Sequence, residues 1–226
     1  MKAAVYSGTR NIYHKMVPSI KSLLHNSDVE KVYVLIEDDE FPEYLPPECE
    51  CINVSNQEYF DPEGPNFKSP WSYMVLLRAA YHRIFPNLDK ILSIDVDAFV
   101  VRRIDELWNA VMDDCYICAV SEKKNRKYDF YVNCGVMLMD LEKLRDGKGD
   151  EIIFTLNKNK YEFAEQDCFN FMCKGHISGL PAWYNAHIGT YEVQNPKIVH
   201  YAGRSNWQDS YEYKIFDKMP WEEVRK

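Results

Sequence analysis

Apolar residues along this chain fall into short blocks whose spacing alternates between two periods. Residues 2–7 form an apolar run of strand type, and residues 8–11 (Gly-Thr-Arg-Asn) read as a loop. From residue 13 to 25 the apolar positions Met16, Val17, Ile20, Leu23 and Leu24 recur at helical spacing. Pro18 falls near the start of that helix, where a proline is tolerated. Residues 31–36, rich in Val with a Tyr, make a second strand. A strand, a loop, a helix and a strand in this order open a parallel α/β sheet.

The blocks continue to the end of the chain. Residues 37–70 are acidic and rich in proline, with one short strand at 51–54. An apolar helix is predicted over 71–85, stopping at Pro86. Residues 91–97 form an apolar strand that ends in Asp95 and Asp97, and 98–101 is a second extended piece. Further on, the pattern predicts a helix at 104–112, a strand at 116–120, a polar loop at 121–129 and a buried strand at 136–139. Helices follow at 141–146, 150–158 and 164–174, and the last strand is at 198–201. No internal repeat, low-complexity tract or linker divides the chain. The expected architecture is α/β: one domain over 1–226, with a mixed, mostly parallel central sheet flanked by helices.

Composition narrows the class. With 226 residues and 46% hydrophobic content the chain can bury a full core. A net charge of −8 and the lack of a basic arm argue against a nucleic-acid partner. Seven cysteines, an odd number, read as reduced thiols and not as a disulfide framework. Cys115 and Cys118 have the spacing of a metal or redox pair, but they sit in an apolar run with no second pair. The opening Met-Lys-Ala-Ala-Val-Tyr resembles a first strand more than a targeting segment, and no apolar run approaches the ~18 residues of a membrane span. The expectation is a soluble cytoplasmic protein without a transmembrane segment; the sequence leaves homo-oligomerisation open.

The candidate chemistry starts at Asp95 and Asp97. In an extended segment, residues two apart point to the same side, so the two carboxylates converge. Like charges that close repel unless a cation lies between them or one proton is retained. A divalent metal at the C-terminal edge of a sheet, where open α/β folds bind ligands, is the economical reading. His200 ends a strand with an imidazole, a common ligand for manganese or zinc. Asn133 and Gly135 stand just before the strand predicted at 136–139, and a glycine there lets a ligand come close to the backbone. Glu165, Gln166 and Asp167 open a helix, and Arg78 offers a guanidinium fork suited to phosphate oxygens.

Taken in order, these segments resemble glycosyltransferase family 8, the retaining enzymes that include bacterial lipopolysaccharide galactosyl- and glucosyltransferases and glycogenin. The resemblance runs over nearly the whole chain. It is carried by Arg78 followed by Pro86-Asn-Leu-Asp-Lys-Ile-Leu-Ser-Ile-Asp95-Val-Asp97, by Asn133-Cys-Gly-Val-Met-Leu138, by Glu165-Gln-Asp167 and by His200-Tyr-Ala-Gly203. It implies a GT-A type nucleotide-sugar-binding fold, with a nucleotide-binding half up to about residue 100 and a sugar and acceptor half beyond. It further implies transfer of glucose or galactose from a UDP-sugar to a glycan or other hydroxyl-bearing acceptor. Asp95, Asp97 and His200 would ligate Mn²⁺, with Mg²⁺ as the alternative. Ser7, Asn11 and Tyr13 would line the uracil pocket. Arg78, Asn133, Glu165 and Gln166 would hold the donor sugar and its reacting face, with Glu122 near the position of a sugar-binding acid. Gly135 and Gly203 would let the backbone approach the donor.

Two departures stand out. The family commonly has a lysine three residues after the last glycine, where this chain has Asn206, with Arg204 nearby. The C-terminal tail also lacks the basic, aromatic helix by which some relatives sit on membranes, so the sequence does not point to membrane association. Acceptor contacts are expected from loops at 56–70, 121–130 and 183–195, where Trp71, Trp183, Tyr184 and Tyr191 suit sugar rings. Three other functions compete. A phosphatase of the haloacid dehalogenase type would carry its Asp-x-Asp on the first strand. A nucleotidyltransferase would open with a glycine-rich phosphate loop. A non-catalytic sugar-nucleotide binder shares every motif above.

Overall fold

The computed structural model describes residues 1–122, 130–189 and 192–225. The opening unit forms as expected: β1 (Ala3–Ser7), a 3₁₀ turn (Arg10–Ile12), α1 (Tyr13–His25) and β2 (Lys31–Ile36). β3 (Cys49–Asn53) follows, and β4 (Lys90–Ile94) lies on the other side of β1. The second half adds β5 (Ala98–Val100), β6 (Ile117–Ser121), β7 (Val132–Asp140), β8 (Ile177–Leu180), β9 (Ala186–His187) and β10 (Ile198–His200).

The main sheet has seven strands in the order β3-β2-β1-β4-β7-β6-β8. Four of its pairings are parallel; β7 is antiparallel to both β4 and β6. Alternation along each strand divides the core between the two faces. Ile91 of β4 packs on one face with Val5 and Met137, and Leu92 packs on the other with Tyr6 and Leu138. A smaller sheet, β5-β10-β9, pairs β10 antiparallel to β5 and parallel to β9. Helices α2 (Tyr81–Ile84), α3 (Leu141–Lys143), α4 (Gly149–Lys158), α5 (Ala164–Met172), α6 (Tyr211–Lys218) and α7 (Trp221–Val224) complete the fold.

Some elements differ from the sequence expectation, each for a local reason. The apolar run predicted as a helix over 71–85 is a 3₁₀ helix at Tyr73–Ala80 that passes into α2. A 3₁₀ helix eclipses residues three apart, and Ser72, Val75 and Arg78 accordingly form one row along the cleft described below. Over 104–112 only a 3₁₀ turn forms, Asp105–Asn109; its buried residues, Leu107 and Trp108, are neighbours, so one tight turn covers both. β7 begins at Val132 and is buried throughout, so Asn133 and Gly135 lie inside a strand and not ahead of one. β8 was not legible because it is a partly buried edge strand, Ile-Ser-Gly-Leu, without a regular apolar alternation. Most of the polar loop at 121–129, and Tyr191, lie outside the described residues. Among the described residues no helix is long and apolar enough to cross a membrane, and all seven cysteines are unpaired.

Candidate active site

The C-terminal ends of β1 and β4 and the N-terminal end of β7 open onto one cleft of about 1000 Å³, at the upper end of typical ligand-site volumes. The strand register creates its centre. Asp95 follows β4, and its N–H donates to the Gly135 carbonyl at 2.7 Å. The chain then turns, with Ala98 N–H donating to Asp95 O at 3.1 Å, and enters β5. Because β10 pairs antiparallel with β5, His200 stands opposite Ala98, and Tyr201 N–H donates to Asp97 O at 3.0 Å. An imidazole 103 positions after Asp97 in the numbering is thereby brought against it. His200 Nε2 lies 3.2 Å from Asp97 Oδ1 and 3.6 Å from Asp95 Oδ2. The ligand atoms of the three residues all fall within 4.8 Å of one another.

The imidazole is held from behind. His200 Nδ1 is 2.8 Å from the Asn185 side-chain oxygen, an acceptor, so Nδ1 carries a proton and Nε2 is directed at the two carboxylates, donating to Asp97 when protonated and offering a lone pair to a metal when not. The Asn185 amide nitrogen donates to Asn133 Oδ1 at 2.9 Å, and the same oxygen accepts from Gly135 N–H at 2.9 Å. Asn185 is wholly buried, and nothing in the sequence singled it out. Replacing it with alanine is expected to weaken divalent-metal binding about 10- to 100-fold, the range for removal of a group that orients a metal-ligating histidine. Isothermal titration of Mn²⁺ into Asn185→Ala and the parent measures it.

Around this trio lies a network of paired charges. The Arg78 guanidinium bridges Asp95 and Glu165, and both Arg78 and Glu165 are buried. Burial pushes the Glu165 carboxyl up to about 7 despite the guanidinium beside it. Burial likewise raises Asp95, with Arg78 offsetting part of the effect. At Asp97 burial acts the same way but is outweighed by the adjacent His200 imidazole, which holds this carboxyl below its usual range. Burial would lower His200, yet the Asp97 and Asp95 carboxylates raise it above the ordinary histidine value.

Gln166 is fixed at all four of its hydrogen-bonding positions. Its oxygen accepts from Asn133 Nδ2 at 3.1 Å and from Cys134 N–H at 3.0 Å. Its nitrogen donates to Glu122 Oε2 at 3.2 Å and to the Tyr131 hydroxyl at 3.1 Å. The neighbouring Asp167 has both oxygens engaged, by Tyr131 OH at 2.6 Å and by Phe163 N–H at 2.9 Å. Tyr131 is a second participant that the sequence reading did not name.

Most of the anticipated residues meet in this cleft: Ser7, Arg78, Asp95, Asp97, Glu122, Asn133, Gly135, Glu165, Gln166, His200 and Gly203 all line it. Gly203 has φ +71°, a conformation that L side chains rarely adopt. Asn11 is exposed and lies outside the lining, its side chain taken by Thr9. Tyr13 sits behind the wall, only 4% exposed. Its hydroxyl accepts from Glu37 N–H and donates to Asp38, and its ring packs on Phe41; Ile12 lines the cleft beside it. At the opposite rim Trp71 and Phe163 pair with centroids 5.8 Å apart, 44% and 41% exposed. Trp183 is exposed but lies away from this cleft, and Tyr184 is buried with its hydroxyl on Glu106.

Comparison with known proteins accords with this geometry. The profile of the family described as "Glycosyl transferase family 8" matches residues 4–209. A putative glycosyltransferase of Haemophilus influenzae is 28% identical over 140 residues, 53% of this chain and 42% of the relative. Lipopolysaccharide 1,2-glucosyltransferase of Escherichia coli is 28% identical over 132 residues, 49% of this chain and 39% of the relative. The chain spans between 27% and 58% of the length of the curated relatives it matches. Among solved structures, galactosyltransferase LgtC in complex with donor and acceptor sugar analogs superposes with a TM-score of 0.73 at 17% identity, covering 97% of this chain and 98% of that one. That likeness is one of fold, and it identifies the mixed sheet and its flanking helices as the expected GT-A type.

Proposed function

This chain belongs to glycosyl transferase family 8, and from that membership we propose that it moves a hexose, glucose or galactose, from a UDP-sugar to an acceptor hydroxyl with retention at the anomeric carbon. The observation that carries the proposal is the convergence of Asp95, Asp97 and His200 Nε2 at the C-terminal edge of β4, with the fixed Gln166 amide in the same cleft. Two carboxylates and an imidazole suit Mn²⁺, with Mg²⁺ as the alternative. When bound, the ion neutralises charge on the donor's diphosphate and lessens the need for a general acid.

The chain's own residues position the reactants and stabilise developing charge. The donor lies against the half of the chain up to about residue 100, with Ser7 and Ile12 at the base end, Tyr13 packed behind them, and Asp95 reaching the ribose. Arg78, Asn133, Glu122 and Glu165 hold the sugar, Gly203 admits the diphosphate close to the backbone, and Gly135 leaves the room that His200 and Asp95 occupy. The acceptor, a glycan or another hydroxyl compound, enters over the exposed Trp71–Phe163 pair, whose rings suit the apolar face of a sugar. Its hydroxyl oxygen bonds to the anomeric carbon on the face from which the diphosphate leaves. The carbon–oxygen bond to phosphate breaks with its electron pair going to the diphosphate, and the departing phosphate oxygen takes the acceptor's proton.

Same-face transfer is supported by what surrounds the sugar position. A double displacement would need a free carboxylate. Glu165 is tied to Arg78, and both oxygens of Asp167 are occupied. Gln166 between them is an amide and a poor nucleophile; held by Asn133, Cys134, Glu122 and Tyr131, it forms a fixed part of the wall against which the sugar lies. Seven unpaired cysteines support a reducing compartment such as the cytoplasm. The test is release of free sugar from UDP-glucose and UDP-galactose without an acceptor. Slow hydrolysis that needs Mn²⁺ and stops with EDTA is the expected result. Binding of the UDP-sugar with no release would make the protein a binder and contradict the proposal.

A further inference from the structure

Among the described residues the cleft wall has an unbalanced charge: six carboxylates face three permanent cations, Lys15, Arg78 and Lys160. Arg78 is committed to Asp95 and Glu165, and Lys160 lies exposed three residues before Phe163, on the Trp71 rim. Any polyanion entering this cleft meets net repulsion unless cations face it.

Lys15 differs from the other two. It sits on the first turn of α1, a turn with no acidic residue, where the positive end of the helix dipole disfavours a lysine. Local helix energetics therefore give no reason for it. Among the described residues no carboxylate pairs with its ammonium. Its one partner is a neutral amide: with Gln208 turned so that both ends of its side chain are satisfied, Lys15 Nζ donates to the amide oxygen at 3.1 Å and the amide nitrogen donates to Ser205 O at 3.3 Å. Ser205 and Gln208 belong to the loop that leaves His200 through Gly203, whose α-carbon faces open space. Lys15 thus meets the loop that starts at the metal-ligating histidine and lines the same cleft as Asp97. The other cation of this loop, Arg204, is directed elsewhere: its Nε donates to Ile188 O at 3.2 Å, and it does not line the cleft.

We propose that Lys15 contacts the diphosphate of the nucleotide-sugar donor, exchanging its neutral Gln208 partner for phosphate oxygens. This rests on the UDP-sugar reading above and adds a residue that the sequence analysis did not assign. A lysine is a point charge on a flexible four-carbon stem, able to swing from an amide to a phosphate without moving the helix. A phosphate oxygen adds the attraction of opposite charges, which the neutral Gln208 amide cannot offer the ammonium, so the exchange is favourable. The negative charge on the diphosphate grows as its bond to the sugar breaks, and Lys15 accordingly acts on turnover as well as on binding.

The test compares the parent, Lys15→Gln and Lys15→Arg, all with Mn²⁺ present. UDP is titrated calorimetrically, and uridine, which has the base and ribose but no phosphate, is followed by saturation-transfer NMR. In Lys15→Gln, UDP affinity is expected to fall about tenfold or more while uridine binding is unchanged; in Lys15→Arg most of the UDP affinity returns. Equal UDP affinity in Lys15→Gln and the parent overturns the proposal, as does equal loss of UDP and uridine, which would mark a structural role. Failure of the parent itself to bind UDP is a different outcome, and it overturns the UDP-sugar reading on which this one stands.

Discussion

Asp97→Ala is expected to lower Mn²⁺-dependent turnover of a UDP-sugar by about a thousandfold, equivalent to about 4 kcal/mol of lost transition-state stabilisation, while leaving the fold intact. The two effects separate because different atoms of Asp97 serve them. Its carbonyl oxygen, not its carboxylate, accepts the bond from Tyr201 N–H that extends the pairing of β5 with β10. The carboxylate faces His200 Nε2 at 3.2 Å. Once it is gone, the remaining carboxylate, Asp95, lies farther from His200, at 3.6 Å, and already pairs with Arg78. Asp95→Ala is expected to behave differently. It leaves the buried Arg78 with Glu165 as its remaining ion-pair partner, and breaking a buried pair costs about 3–5 kcal/mol of stability. Steady-state kinetics and thermal unfolding of both variants distinguish the two cases. A thermal midpoint in Asp97→Ala as low as in Asp95→Ala would contradict this division of roles.

Gly135→Ala is expected to abolish metal binding with one methyl group. A Cβ on Gly135 would stand 2.2 Å from His200 Cε1, 2.6 Å from Asp95 Oδ2 and 3.0 Å from Asn133 Oδ1. The obstacle is steric, since the residue is in ordinary strand conformation within β7. The imidazole cannot step aside easily: it is buried, held at Nδ1 by Asn185 and packed edge-on against His187. Relief must come from moving His200 and Asp95 apart, which disperses the ligand atoms. Overpacking of this kind costs about 1–3 kcal/mol, so the variant remains folded with a lowered midpoint. Calorimetric titration with Mn²⁺ is expected to show no binding. Parent-like affinity would mean that the site is wider than the structure describes.

The sequence carried the parts of the site that depend on local periodicity. Asp95 and Asp97 share a side because strand residues two apart do, and α1 was legible because its apolar positions keep a helical period. The pairing of His200 with Asp97 was another matter, since it requires the antiparallel register of β10 on the three-residue β5. Only the resemblance to a family joined them beforehand. Asn185 escaped notice because a single amide before the two-residue β9 has no local pattern, and its role exists only through contacts with residues far along the chain. The run over 71–85 was read with a period near 3.6, whereas a period of three brings Ser72, Val75 and Arg78 into the cleft. Apolar composition does not distinguish the two. Lys15 has no local signal in the sequence, because its role depends on its contact with Gln208 in the segment after Gly203.

The most direct measurement is thermal unfolding with UDP-glucose or UDP-galactose, with and without Mn²⁺. A ligand that binds only the folded state stabilises it by about 2.7 kcal/mol at a hundred times its Kd, a rise of roughly 5 to 10 °C for a chain of this size. The account expects the nucleotide sugar to add that rise only when Mn²⁺ is present, beyond any shift from Mn²⁺ alone, and expects the added rise to vanish in Asp97→Ala. No shift with either UDP-sugar in the presence of Mn²⁺, or the same shift in Asp97→Ala as in the parent, would contradict it.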